Sequence, residues 1–296
     1  MNRAASSLLD SLIDYAGLFP PAQLGMDAAV ARYAAHRRSA EAWMLARFIA
    51  PATRLAEFWV AAAEHVSGLA PAGPWRLAAL LGADVAADAA RVAAFNAAHL
   101  ERALVDTVEL KAGTPEEIEH ASGAVPRDLT TYVELPPAAD LAPLLRALRA
   151  RGARAKIRTG GVVPEAIPPT ADLAGFLIAC AAARVPFKAT AGLHHAVRGM
   201  RPLTDEAEAP RGTMHGFLNV FAAATLAWAG ADAAQVEAVL REECADAFRW
   251  RGDGLAVGDR LLEAEKLAGA RAEFATSFGS CSFDEPVADL RAMGAL

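Results

Sequence analysis

The sequence predicts an α/β protein: one closed (β/α)8 TIM barrel over residues 1–296, a single domain with a helical insertion before its eighth strand. Three observations carry that prediction. Seven extended apolar runs can be counted, nearly all followed by a segment of helix length, and no shift of composition marks a linker. The last two runs each hold a lysine and are separated by one helix-length segment, which sets them side by side with both C-terminal ends at one edge. The glycine-rich dinucleotide signature of an open doubly wound sheet is missing after the first run.

The first strand lies within residues 6–18, in Ile-Asp-Tyr-Ala-Gly-Leu-Phe-Pro-Pro, where Asp14 or Tyr15 faces the barrel mouth or Asp14 caps the turn. Residues 26–36 repeat apolar side chains at helical spacing. The second strand covers 43–49, stopped by Pro51, and its helix 55–65. The third covers 75–81, and Asp84 then leads into an Ala-rich helix ending near His99. The fourth runs from 103 to 111; after it Thr114 is placed to cap a helix whose first residue is Pro115. The fifth covers 129–135, closed by Pro136-Pro137, with a helix over 140–149. The sixth and seventh are the lysine strands, 155–161 and 186–195, joined by a helix over 172–184. For the eighth there are two candidates. Residues 214–229 run on into Ala-rich sequence and suit a helix better, so 271–278 is taken as the strand, ahead of a last helix over 287–293. Residues 214–270 then form the insertion, with a turn or hairpin around 248–255.

Hydrophobic residues make up 54% and charged residues 22%, enough for a large core and too apolar for disorder. The net charge of −6 argues against nucleic acid, while leaving room for an anionic ligand in a local basic pocket. Three widely spaced cysteines, Cys180, Cys244 and Cys281, suggest a reducing, cytoplasmic setting without disulfides. The early residues lack a signal-peptide core, and no apolar run is expected to reach membrane-spanning length.

Lysine use points to chemistry. Of 29 basic residues only Lys111, Lys156, Lys188 and Lys266 are lysine, so arginine serves wherever charge alone is needed. An amine can lose its proton and attack a carbonyl, and a guanidinium cannot. Two lysines sharing one pocket should lower at least one pKa between them. With a strand period of two, Lys156 and Arg158 face one way, as do Lys188 and Thr190. If that way is inward, the mouth holds two lysines, an arginine that can pair with a carboxylate or phosphate, and a hydroxyl. The fourth strand offers two phases, Asp106 on one and Glu109 with Lys111 on the other, which cannot all point inward unless a bulge intervenes.

These residues resemble the deoxyribose-phosphate aldolase family, class I aldolases on a (β/α)8 barrel. Lys156-Ile-Arg-Thr-Gly is similar to that family's Schiff-base lysine motif on strand six, and Phe187-Lys188-Ala-Thr-Ala-Gly to its second lysine motif on strand seven. Val105-Asp106-Thr107-Val108 resembles the strand-four aspartate pattern, and Phe278-Gly-Ser-Cys-Ser the closing anion-binding loop. The likeness covers strands four to eight. It departs from the family at Arg158, at His194-His195, and at Asp284-Glu285, whose charges oppose a phosphate.

The resemblance implies an aldolase-type carbon–carbon lyase of carbohydrate metabolism. On that resemblance Lys156 would form the imine, Lys188 tune it, Asp106 move protons and Gly279 with Ser280 hold an anionic end, while strand position adds Glu109 to the catalytic candidates and Arg158, Thr190, His194, His195 and Asp14 to the substrate-binding ones. The expected partner is a small carbonyl metabolite bearing a carboxylate or phosphate; no cofactor, metal, nucleic acid or membrane is expected, and a homo-oligomer stays open. Two alternatives remain. His194, His195 and His215 with Asp14 or Glu109 could serve a metal-dependent isomerase, hydrolase or lyase, or the barrel could be a non-catalytic anion binder.

Overall fold

The computed structural model describes residues 3–66, 73–136 and 140–296, so Pro137 at the end of the fifth predicted strand lies outside the described residues. Eight parallel strands close into a barrel. They are β1 (Ile13–Tyr15), β2 (Leu45–Pro51), β3 (Trp75–Leu80), β4 (Ala103–Lys111), β5 (Thr130–Glu134), β6 (Arg154–Arg158), β7 (Phe187–Thr190) and, near the C-terminus, β13 (Ala275–Ser280). β13 closes the ring by pairing with both β1 and β7.

The outer helices follow the predicted order: α2 (Met26–His36), α3 (Leu55–Ala62), α4 (Val85–His99), α5 (Pro115–Gly123), α6 (Leu141–Arg151), α7 (Thr170–Ala183) and α11 (Asp284–Ala292). The Thr114 hydroxyl accepts from the Glu117 N–H at the start of α5, and Asp84 caps α4 by accepting from Ala87 N–H. Three elements differ from expectation. A helix α1 (Arg3–Leu9) occupies the residues ahead of β1, because Ala4, Ala5, Leu8 and Leu9 fall on one buried helical face.

The eighth barrel strand starts later than predicted. Arg271 to Glu273 are the last turn of α10 (Ala264–Glu273), and the Arg271 guanidinium donates to the carbonyls of Leu8, Asp10, Ala275 and Thr276. The insertion is more than helical. Besides α8 (Phe217–Trp228), α9 (Ala233–Arg241) and α10, the stretch before β13 holds a hairpin of β8 (Gly199–Pro202) and β9 (Arg211–Met214). It also holds an antiparallel sheet of β10 (Phe248–Trp250), β11 (Gly254–Val257) and β12 (Arg260–Glu263).

The stretch Pro164–Ala183 is long and apolar enough to span a bilayer by length and composition, contrary to the expectation of none. Its α7 part buries Leu173, Phe176, Leu177 and Cys180 in the core, which explains the apolar run within this fold.

Two glycines hold the mouth together. A Cβ on Gly192, where φ is +78°, would stand 2.8 Å from the Gly160 Cα, so the loops after β6 and β7 touch backbone to backbone. Gly192→Ala is therefore expected to cost roughly 1–3 kcal/mol in thermal unfolding, more than an ordinary surface substitution.

Candidate active site: a lysine and carboxylate network under the barrel mouth

The barrel interior is charged in layers. β6 and β7 pair with Lys156 opposite Lys188, and β5 and β6 with Glu134 opposite Lys156, so the strand period brings these side chains to one inner face. Glu109 on β4 joins the lysines: Oε1 accepts from Lys188 Nζ at 2.6 Å and Oε2 from Lys156 Nζ at 2.7 Å. Lys188 also donates to Asp14 at 2.5 Å, and Lys156 forms an ion pair with Glu134 Oε2 at 2.9 Å. Arg158 and Lys111 approach the other Glu134 oxygen at 3.5 and 3.7 Å. Four cations face three carboxylates, which leaves one positive charge in excess toward the opening.

Depth separates the two lysines. A cavity of about 380 Å³ is lined by Lys156, Glu109, Glu134, Lys111, Arg158, Thr190, His194, Gly279 and Cys281, with Phe19, Ile49 and Leu80 as apolar walls. Lys156 reaches it, with 4% of its surface exposed, while Lys188 is 0% exposed and lies beneath. Burial opposes the Lys188 charge, yet Asp14 and Glu109 outweigh it and hold the ammonium above its ordinary value. Lys188 is thus not a lysine of the pair whose pKa its cationic neighbours lower, because the carboxylates on it reverse the sign. Burial also opposes the Glu109 charge, but Lys156 and Lys188 pull its carboxyl down to about 2.

A bulge resolves the two phases of β4. Leu77 pairs with Val105 and Ala78 with Thr107, so Asp106 is the extra residue and the phase shifts before Glu109. Asp106 does not line the cavity. It pairs with Arg47 at 2.5 Å and Arg76 at 2.5 Å, and these guanidiniums overcome burial to keep its carboxyl below the usual range. Among the carboxylates of the fourth and fifth strands, those that line the cavity are Glu109 and Glu134.

Other predicted residues divide similarly. Thr190, Arg158, His194 and Gly279 line the cavity, whereas Asp14 is buried on Lys188, Ser277 Oγ and the Arg47 N–H. Ser280 turns away, its Oγ accepting from Ser282 N–H. His194 and His195 point apart, His194 toward Cys281 and Glu285, and His195 toward Asp289 at 3.1 Å. His215 is buried and bonds the Pro168 carbonyl. The histidines and carboxylates of the metal alternative are therefore separated, and no trio of His, Cys, Asp or Glu is grouped to hold a metal among the described residues.

Sequence reasoning passed over Glu134. Its signal was present: a carboxylate at the C-terminal end of a strand, two residues beyond Tyr132 on the same face. A second cavity of about 620 Å³ adjoins the first and shares Lys111, Glu134 and Arg158 with it. Comparisons with protein-family models, with curated proteins and with solved structures find no match.

Proposed function

We propose that the barrel is an aldolase-type carbon–carbon lyase, resembling deoxyribose-phosphate aldolases in its chemistry, that turns over a small anionic carbonyl compound through an imine on Lys156. One observation carries the reading: of two lysines bridged by a single buried glutamate, only Lys156 opens onto the cavity. Its position at the C-terminal end of the strands is where barrels of this kind keep their chemistry.

The steps balance on the residues present. Lys156 passes its proton to Glu134 and the free amine adds to the substrate carbonyl. Glu134 returns the proton as water leaves, giving a cationic imine. Glu134 then accepts the proton of the β-hydroxyl while the carbon–carbon bond breaks, its electron pair moving into the imine to give an enamine and a free aldehyde. Protonation of the enamine carbon by Glu134, then hydrolysis, restores the amine. Lys188, fixed between Asp14 and Glu109, keeps a permanent positive charge below the imine and holds Glu109 against Lys156.

Arg158, with 45% of its side chain exposed, and Lys111 stand at the junction of the two cavities and are the anchors for an anionic group. Screening hydroxy-carbonyl compounds for aldehyde release, with borohydride inactivation as a parallel readout, tests the reading. With the substrate so found, Arg158→Ala is expected to raise KM about tenfold or more, with a smaller change in kcat. An unchanged KM removes Arg158 from anion binding.

A further inference from the structure

We propose that Cys281 is a covalent modification site for small soft carbon electrophiles at the cavity rim, its thiol activated by the His194 imidazole, whose Nδ1 lies 3.8 Å from Sγ. Cys281 follows β13 and stands just ahead of α11, and it lines two spaces at once: the central cavity and a smaller one of about 180 Å³ behind it. His194 lines both as well, so the pair forms the partition between them. That position gives a thiol with only 7% exposure two routes of approach.

The surroundings favour charge separation across the pair. His194 Nδ1 also lies 3.4 Å from Glu285 Oε2 on α11. Burial opposes the imidazolium, but Cys281 and Glu285 hold it up to about 10. Arg32 from α2 and Asp205 from the β8–β9 loop face the smaller cavity, while Lys156 and Arg158 face the larger. A cation beside a sulfur stabilises the thiolate, the nucleophilic form. Neither other cysteine has this setting: Cys180 is wholly buried and its thiol pushed up by burial alone, and Cys244 is exposed.

With iodoacetamide the sulfur pair forms the carbon–sulfur bond as the thiol proton passes to His194, and the carbon–iodine bond breaks with iodide leaving. With a maleimide the sulfur adds to the alkene carbon, the π pair moves to the neighbouring carbon, and that carbon takes the proton back from His194. Either adduct occupies space in the cavity that Lys156 lines, so modification closes the site to ligands. None of this depends on imine chemistry, and failure to capture a carbonyl on Lys156 leaves it standing.

The test is alkylation of the native full-length chain with limiting iodoacetamide at pH 6.5, followed by peptide mass spectrometry. Cys281 is expected to react about tenfold or more faster than Cys244, with Cys180 unlabelled. His194→Gln should bring Cys281 down to the Cys244 rate, and Glu285→Gln should slow it severalfold while the ring stays. Cys281 labelling no faster than Cys244 overturns the proposal. So does an unchanged rate in folded His194→Gln or, if that variant does not fold, in Glu285→Gln.

Discussion

Lys156→Ala is expected to abolish both turnover and borohydride-dependent capture, because the one buried lysine that reaches the cavity is gone. Removal of a covalent nucleophile ordinarily costs at least about a thousandfold in kcat. Lys156→Arg should fare no better, since a guanidinium keeps the charge against Glu109 and Glu134 but forms no imine. Lys188→Arg should retain some capture. It keeps a cation between Asp14 and Glu109, although the bulkier fork strains a site with no free space around Nζ. The measurement is intact mass after reduction with the confirmed substrate. Capture retained by Lys156→Arg and lost in folded Lys188→Arg would move the covalent bond to Lys188.

Glu109→Gln is expected to be the most destabilising conservative change in the barrel. It leaves Lys188 with Asp14 alone and Lys156 with Glu134 alone, both deep in the interior. Breaking such a buried pair from one side costs about 3–5 kcal/mol, or a fall in melting temperature of roughly 6 °C or more for a chain of this size. The same group sets a pH dependence with a definite sign. Its carboxyl is depressed from 4.5 to about 2, so its stabilisation is complete above pH 4.5 and is lost as pH falls through 2. That shift corresponds to about 3 kcal/mol. Chemical denaturation at pH 6, 4, 3 and 2 should show the native protein losing stability more steeply than Glu109→Gln. Parallel slopes would show that the glutamate is not charged against the lysines in the folded state.

Much of the barrel was legible because its signals are local. Apolar runs of strand length, Thr114 before Pro115, and the Ala-rich stretch opened by Asp84 each encode an element without reference to the rest of the chain. The start of β13 was not, since Arg271 extends α10 in order to satisfy carbonyls from both ends of the chain. Nor was α1, whose few buried residues are too short a pattern to separate helix from strand.

At the site, Lys156 and Lys188 were readable from period and position, as was the need for a bulge if both Asp106 and Glu109 were to face inward. What no local pattern encodes is depth and partnership across the barrel. That Glu109 bridges the lysines, that Glu134 rather than Asp106 stands at the cavity, and that His194 meets Cys281 all follow from closure of the ring.

Peptide mass spectrometry after borohydride reduction, with the native protein and a panel of small aldehydes, ketones and keto acids, tests the central claim most directly. The account predicts a reduced adduct on the peptide that carries Lys156, and none on Lys188. An adduct mapped to Lys188, or no adduct at all under turnover of a confirmed substrate, would contradict it.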